Sequence, residues 1–347
     1  MSIRSVFIGF KYPHHGDFSG YDRIADYVDY DLVLHADRIF FFRWLHRFAH
    51  RSKPLMLGRF TICDPLQFFY RTFRVWARWR CAFLRGAVVH FAYPETGLIF
   101  HSVPGGKDNC YVASLHLPPD TLYRLHPRIL GRMKELDHII LMSEDMFDAA
   151  SSIFPQVPMT FLPHGVDTEH FRPEPERVRD IDILMLGNWL RDFGFARNVF
   201  EQINNSGDPL RTVAVALPSN IKLLEGISGV ECRVGVSDKE LLEILQRSRL
   251  LFLPLLGLTA NNAILEAAAC GCRICIALPD ASYAKGYFQG FIDVLPWDAV
   301  AAARELRGLA AVEVGEVSAV REFALQNYAW EGVAASTEII LNTLKLR

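Results

Sequence analysis

Residues 250–278 read LLFLPLLGLTANNAILEAAACGCRICIAL, and this stretch decides the fold. Four apolar residues, Leu250 to Leu253, run into Pro254 as a buried parallel strand does. Gly257 and Thr259 then turn the chain and cap a helix predicted over about Ala260 to Cys270, before a second apolar strand. The first amides of such a helix lack intrahelical partners and lie at the positive end of its dipole, a place suited to a diphosphate. Thr259, Ala260, Asn261 and Asn262 are the expected phosphate-binding residues. Glu266, further along the helix, is placed to accept hydrogen bonds from a ribose. From this stretch alone, an ordinary strand–helix–strand unit with Glu266 on a solvated face fits equally well.

Outward from this unit the same alternation recurs. Val6 to Phe10 is a short strand followed by the glycine-bearing loop YPHHGDFSG (residues 12–20) and a helix from about Tyr21. Further strands are expected at Leu32 to Leu34, Ala87 to Phe91, Tyr111 to Leu115 and Ile139 to Met142. The Pro- and charge-rich FRPEPER (residues 171–177) reads as a linker. A second series starts at Ile181 to Gly187 and continues through 211–217, 231–234, 250–253 and 273–278. The fold class is α/β, with two Rossmann-like doubly wound domains facing across a cleft, over 1–168 and 169–325. A terminal helix over 326–347 is expected to return to the first domain.

Composition narrows the function. Half of the 347 residues are hydrophobic and the net charge is −2, so neither disorder nor nucleic-acid binding is indicated. The basic character is local: Arg38 to Arg85 carries eleven Lys and Arg against the single acid Asp64, a balance of +10 that leaves −12 elsewhere. Seven unevenly spaced cysteines read as reduced residues of a cytoplasmic protein. Cys272 and Cys275 have a redox or zinc spacing, but on a strand that spacing points them to opposite faces. No run reaches membrane-span length, and the N-terminus is too weakly apolar for a signal peptide.

The segment with Asn261, Asn262, Glu266, Ala267, Ala269, Cys270 and Gly271 resembles the donor-binding segment of GT-B glycosyltransferases, in the large retaining family that includes sucrose synthases and phosphatidylinositol mannosyltransferases. Leu141-Met-Ser-Glu144, Pro163-His-Gly-Val-Asp167, Met185-Leu-Gly187, Ser237-Asp-Lys-Glu-Leu241 and Tyr328-Ala-Trp-Glu331 fall in the family's order. The resemblance covers about residues 135–345 in sequence; in the N-terminal domain, where acceptors bind, it is one of fold. The family's first Glu, eight positions before Glu266, is Leu258 here, so its sugar contact is missing or falls to Asn261 or Asn262.

The resemblance implies a retaining, metal-independent transfer of a hexose from a UDP- or GDP-linked sugar to a glycan or lipid-linked acceptor, with no cofactor. Gly187 and Asn188 occupy the turn where the family carries a basic pair; Asn188 replaces the first cation, and Arg191 is the candidate for the diphosphate, unless it pairs at the surface with Asp192. His116 stands where relatives place a His beside the donor sugar. The expected catalytic residues are therefore His116, Glu266 and Arg191. His14, His15, Asp17, Ser19 and Gly20 are expected to line the cleft, although Ser19 also suits an N-cap. His90 and Glu95 would meet the acceptor.

Asp29-Tyr-Asp31 and Asp180-Ile-Asp182 lie at strand entrances rather than carboxyl ends, and His46 with His50 lacks a third ligand, so no metal site is expected. In residues 66–85, Arg71, Arg74, Arg78 and Arg85 share one helical face, with Phe69, Phe73, Trp76 and Phe83 on another. Two readings stay open: a helix packed on the core, or an interfacial helix making peripheral contact with an anionic membrane at its inner face. Rival functions are a nucleotide-sugar 2-epimerase and a non-catalytic nucleotide- or glycan-binding subunit.

Overall fold

The computed structural model describes residues 4–12, 15–52, 55–57, 60–63, 65–96, 108–205, 210–280, 291–312 and 317–345. The chain forms two compact units. The first comprises Met1–His15, Gly20–Pro163 and Val333–Arg347; the second comprises Gly16–Ser19 and His164–Gly332.

The first unit holds β1 (Ser5–Gly9), β2 (Leu32–His35), a hairpin of β3 (Leu55–Leu57) and β4 (Phe60–Cys63), then β5 (Val88–Phe91), β6 (Cys110–Leu115), β7 (His138–Leu141) and β8 (Met159–Phe161). Its helices are α1 (Phe40–Arg51), α2 (Pro65–Cys81), α3 (Pro119–Leu122), α4 (Pro127–Met133) and α5 (Phe147–Ile153). The six longer-range strands form one sheet in the order β2-β1-β5-β6-β7-β8, every pair parallel. β1 and β5 are buried along their whole length, as strands covered on both faces are. The order reverses between β1 and β5, so the crevice expected of such sheets opens beyond Gly9 and Phe91.

The second unit contains β9 (Ile181–Leu186), β10 (Thr212–Val215), β11 (Val230–Arg233), β12 (Ser248–Pro254), β13 (Arg273–Ala277) and β14 (Ile292–Leu295). They pair in parallel in the order β11-β10-β9-β12-β13-β14, with the reversal between β9 and β12. Helices α6 (Phe193–Asn205), α7 (Pro218–Ile221), α8 (Asp238–Arg247), α9 (Asn262–Ala269), α10 (Ala299–Ala311) and α11 (Val317–Tyr328) surround the sheet, and α12 (Trp330–Lys345) ends the chain. Cys272 packs in the core on one face and Cys275 in the core on the other, the outcome of their odd spacing along the chain.

Two of the motifs quoted above prove to be one contact. Val166 N–H donates to Tyr328 O at 2.7 Å and Trp330 N–H returns to Val166 O at 3.3 Å. Gly165 is needed there because a Cβ would run into the Trp330 ring.

Of the two readings left open for residues 66–85, the structure shows packing on the core for part of the aromatic face. Phe69 and Phe73 are core residues packed on α1, with Phe42–Phe73 ring centroids 5.3 Å apart and His46 stacked on Phe69 at 4.3 Å. Burial of these rings follows from the period of the pattern: Phe69, Phe73, Ala77 and Cys81 recur every fourth residue and form the buried stripe of the helix. His46 Nδ1 is held 3.0 Å from Asp37 Oδ1, a structural pairing.

Candidate functional site

The switch point of the second sheet carries the residues that the sequence singled out. β9 ends in Gly187, whose φ of +95° suits a residue without a Cβ, and an added Cβ would stand 3.2 Å from Arg191 Nη2. Arg191 folds back under this turn. Its Nε donates to Leu186 O at 3.2 Å, Nη1 to Trp189 O at 2.9 Å and Nη2 to Asn261 Oδ1 at 3.2 Å. Backbone pairing with Leu255 ties the same turn to the loop after β12, and Leu256 N–H donates to Leu190 O at 3.0 Å. Leu190, which is not a glycine, has φ +55°, a strained backbone within this turn.

Arg191 therefore does not pair with Asp192, whose Oδ1 instead accepts from Phe195 N–H and caps α6. Burial draws the guanidinium down to about 10, which leaves it charged at neutral pH. Asn188 Oδ1 accepts from Leu217 N–H at 2.6 Å and Asn220 Nδ2 at 3.2 Å, so its side chain braces the start of α7.

α9 begins at Asn262 with Asn261 in the N-cap position, two residues later than the Thr259 cap expected from sequence; Thr259 is buried. Ile264 N–H is bonded back to Asn261 O at 3.1 Å, whereas the amides of Asn262 and Ala263 have no partner among the described residues. Ala260, Asn261 and Asn262 are half-buried at this end. Leu258 packs into the apolar core, so its side chain offers a sugar no polar atom.

Glu266 is not on a solvated face. It is 5% exposed, its Oε1 accepts from Ser19 Oγ at 2.5 Å, and burial pushes its carboxyl up to about 7. Ser19 belongs to the short segment Gly16–Ser19 of the second unit, and that segment is fastened at three points. Asp17 N–H donates to Asp238 Oδ2 at 2.6 Å, Phe18 stacks on His170 with centroids 3.5 Å apart, and Ser19 reaches Glu266. Phe18 and His170 were not singled out from sequence, and Asp238 was quoted only within the Ser237–Leu241 motif; the signal available was Gly16 and Gly20 bracketing the segment. Gly16 adjoins the Asp238 carboxylate closely enough to leave no room for a Cβ. Ser19 is not an N-cap, because Gly20, with φ +102°, holds that position before the 3-10 turn Tyr21–Asp26. A Cβ on Gly20 would strike His15 Nδ1 and Asp22 Oδ1.

In the first unit, His116 follows β6. Its Nε2 lies 2.8 Å from Ala92 O, and its ring packs on Tyr21 and Tyr93. A proton on Nε2 makes Nδ1 the basic nitrogen. His15 is half-buried beside Tyr12, with ring centroids 5.6 Å apart. His14 lies outside the described residues.

His90 is corrected. It sits inside β5, fully buried, with Nδ1 2.6 Å from Tyr30 Oη and Nε2 2.7 Å from Ser114 Oγ, and burial draws its pKa down to about 3. It is a neutral core residue. Glu95, four residues past the strand, differs: the residue is half-buried, but its Oε2 is sealed from solvent and accepts no hydrogen bond among the described residues. Burial pushes its carboxyl up to about 8. It stands beyond the carboxyl end of β5, at the switch point of the first sheet.

The two Asp-x-Asp triplets have structural partners. Asp31 Oδ2 accepts from Arg4 N–H, Ser5 N–H and Ser5 Oγ; Asp180 binds Arg247 and Arg211, and Asp182 accepts from Arg211 N–H. Among the described residues no group of three or more His, Cys, Asp or Glu could hold a metal ion.

No protein-family model and no curated protein sequence matches the chain. Solved structures do. A sucrose-phosphate synthase from Thermosynechococcus elongatus superposes with TM-score 0.70 at 13% identity, over 98% of this chain and 99% of that one. HepE from Anabaena, in complex with UDP and glucose, gives 0.64 at 12%, over 98% and 100%. A glycosyltransferase from Rickettsia africae gives 0.64 at 9%, over 99% of both chains. The chain has the GT-B fold. At these identities the likeness is one of backbone, and the GT-B frame places the Gly187–Arg191 turn and the start of α9 at the switch point of its second sheet.

Proposed function

We propose that this chain is a retaining, metal-independent glycosyltransferase that moves a hexose from a nucleotide diphosphate sugar, UDP- or GDP-linked, to a glycan or lipid-linked acceptor. One observation carries the reading. Around the reversal between β9 and β12, a buried carboxylate (Glu266), a half-buried arginine (Arg191) and the two unpartnered amides of α9 gather within two loops and one helix. A nucleoside diphosphate matches that set: amides and guanidinium for the diphosphate, carboxylate for a ribose hydroxyl. The structure of HepE with UDP and glucose, which shares the backbone, supports the same ligand class.

In this reading the leaving diphosphate is stabilised by groups already in place, which lowers the barrier to an oxocarbenium-like transition state. Arg191, held by two carbonyls and Asn261, needs no reorganisation to do so. Asn262 is the polar side chain left to meet the sugar, since Leu258 is apolar and Asn261 is engaged. His116 Nδ1 is proposed for the sugar hydroxyls, and Glu95 for the acceptor.

The buried Leu258 also favours a second reading, a subunit that binds nucleotide sugars without transferring them. Calorimetric titration with UDP, GDP, ADP and TDP and their sugars, with and without EDTA, separates the possibilities. Binding of one nucleotide family, unaffected by EDTA and followed by sugar release or transfer, supports the enzyme. Binding without turnover across acceptors supports the subunit, a changed sugar without acceptor supports an epimerase, and no binding at all refutes the donor site.

A further inference from the structure

Helices α1 and α2 each divide into three stripes. At about 100° per residue, Phe42, Leu45, His46 and Ala49 of α1 face inward, and Phe69, Phe73, Ala77 and Cys81 of α2 do the same. Beside the buried stripe of α1 run Phe40, Phe41, Trp44 and Phe48, each more than half exposed. Beside that of α2 run Phe68, Val75 and Trp79, equally exposed, with Phe83 just past the helix end. The third stripe is basic: Arg43, Arg47 and Arg51 on α1, Arg71, Arg74 and Arg78 on α2. None of these six makes an ion pair with a described residue. The aromatic stripes border an open groove of about 820 Å³, lined by Phe41, Phe42, Phe68, Val75, Trp76 and Trp79.

Scattered apolar residues are ordinary on protein surfaces, but a continuous band of aromatic rings on two packed helices is not. Its borders identify what covers it. A band of Phe and Trp flanked by unpaired arginines, in a segment with eleven basic residues and one acid, is complementary to an apolar layer under a sheet of negative charge. No helix among the described residues is long and apolar enough to cross a bilayer, so the contact would be a lateral one.

We propose that the exposed aromatic and arginine stripes of α1 and α2 seat the protein on an anionic lipid bilayer. The rings enter the level of the headgroups and first acyl carbons, and Arg43, Arg47, Arg71 and Arg78 contact lipid phosphates. This goes beyond the donor site and does not depend on it, since every residue involved lies in the first unit and outside the candidate site.

The test is co-sedimentation of the full chain with vesicles of phosphatidylcholine alone or with an equal part of phosphatidylglycerol. Three proteins are compared: the wild type, a Trp44→Ser/Trp79→Ser variant and an Arg43→Gln/Arg47→Gln/Arg71→Gln variant. All substituted side chains are exposed, so melting temperatures should agree, and nucleotide binding serves as a second check of folding. The wild type is expected to pellet with anionic vesicles only, with tryptophan emission shifted to the blue. Each variant should bind about tenfold or more weakly, and added salt should release the wild type. Two results overturn the proposal: equal pelleting of all three proteins or of none, or a concentration-dependent dimer, seen by sedimentation velocity without lipid, that the Trp substitutions abolish. The latter would assign the face to a second copy of the chain.

Discussion

Glu266→Gln should make the empty protein more stable and its donor site weaker. Burial pushes this carboxyl from an ordinary 4.5 to about 7, so the folded chain holds a proton that the unfolded chain has released. Between those values stability falls as pH rises, because the folded state must either keep its proton or bury a charge. Below about pH 4.5 the effect is absent. Above about pH 7 it is complete and amounts to roughly 3 kcal/mol, at 1.36 kcal/mol for each pH unit between the two values. Glutamine keeps the shape and can still accept from Ser19 Oγ, so the substitution removes the ionisation and little else. At roughly 2–4 °C per kcal/mol, the variant should melt up to about 10 °C higher at pH 8 and at the same temperature as wild type near pH 4.5. The same change should weaken nucleotide diphosphate binding about tenfold, or 1.4 kcal/mol, since the ribose loses a charged acceptor. Melting curves from pH 4.5 to 9, with titrations at pH 7.5, measure both. Parallel Tm profiles for the two proteins would refute the buried, proton-holding carboxyl; a raised Tm with unchanged nucleotide affinity would remove Glu266 from the donor site.

Three further outcomes follow from the same geometry. Arg191→Lys should lower nucleotide affinity about tenfold and cost about 1–3 kcal/mol of stability, because an ammonium cannot serve Leu186 O, Trp189 O and Asn261 Oδ1 together; wild-type calorimetry in the variant would refute this. Glu95→Gln should raise Tm increasingly from about pH 4.5 and by its full amount above about pH 8, because the folded wild type must keep a proton that the unfolded chain has released, and it should reduce acceptor turnover while leaving nucleotide binding intact; loss of nucleotide binding would place Glu95 elsewhere in the mechanism. Gly20→Ala should destabilise the protein by about 1–3 kcal/mol, as read by denaturant melts, since the residue sits at φ +102° with His15 and Asp22 against its missing Cβ.

The parts legible in sequence are those set by period and by chain-local chemistry. Leu250 to Leu253 could only be a strand covered on both faces, and it is. The resemblance placed Gly187 in the turn that carries a basic residue, and Arg191 lies against it. The placement of Glu266 on the helix after β12 followed from counting residues, whereas its Ser19 partner did not. Ser19 is 247 positions away, and its hydroxyl suits a cap or a side-chain contact equally well until Gly20 is found in the cap position. His90 failed for a related reason. It stands at a position that points toward a site in sequence, yet it lies within β5, sealed between Tyr30 and Ser114.

By itself the amino-acid sequence determined two α/β halves with parallel sheets and five of the six strands in each; β8, β14 and the β3–β4 hairpin were not read from it. Hydrophobic period, glycine and proline act over a few residues, and those cues are written locally. Tertiary structure alone decided which polar groups are sealed from water. It assigned Glu266 and Glu95 their raised proton affinities, made His90 neutral, and sorted the aromatic residues of α1 and α2 into buried and exposed stripes. Burial depends on what distant segments pack against a side chain, and no local pattern carries that information.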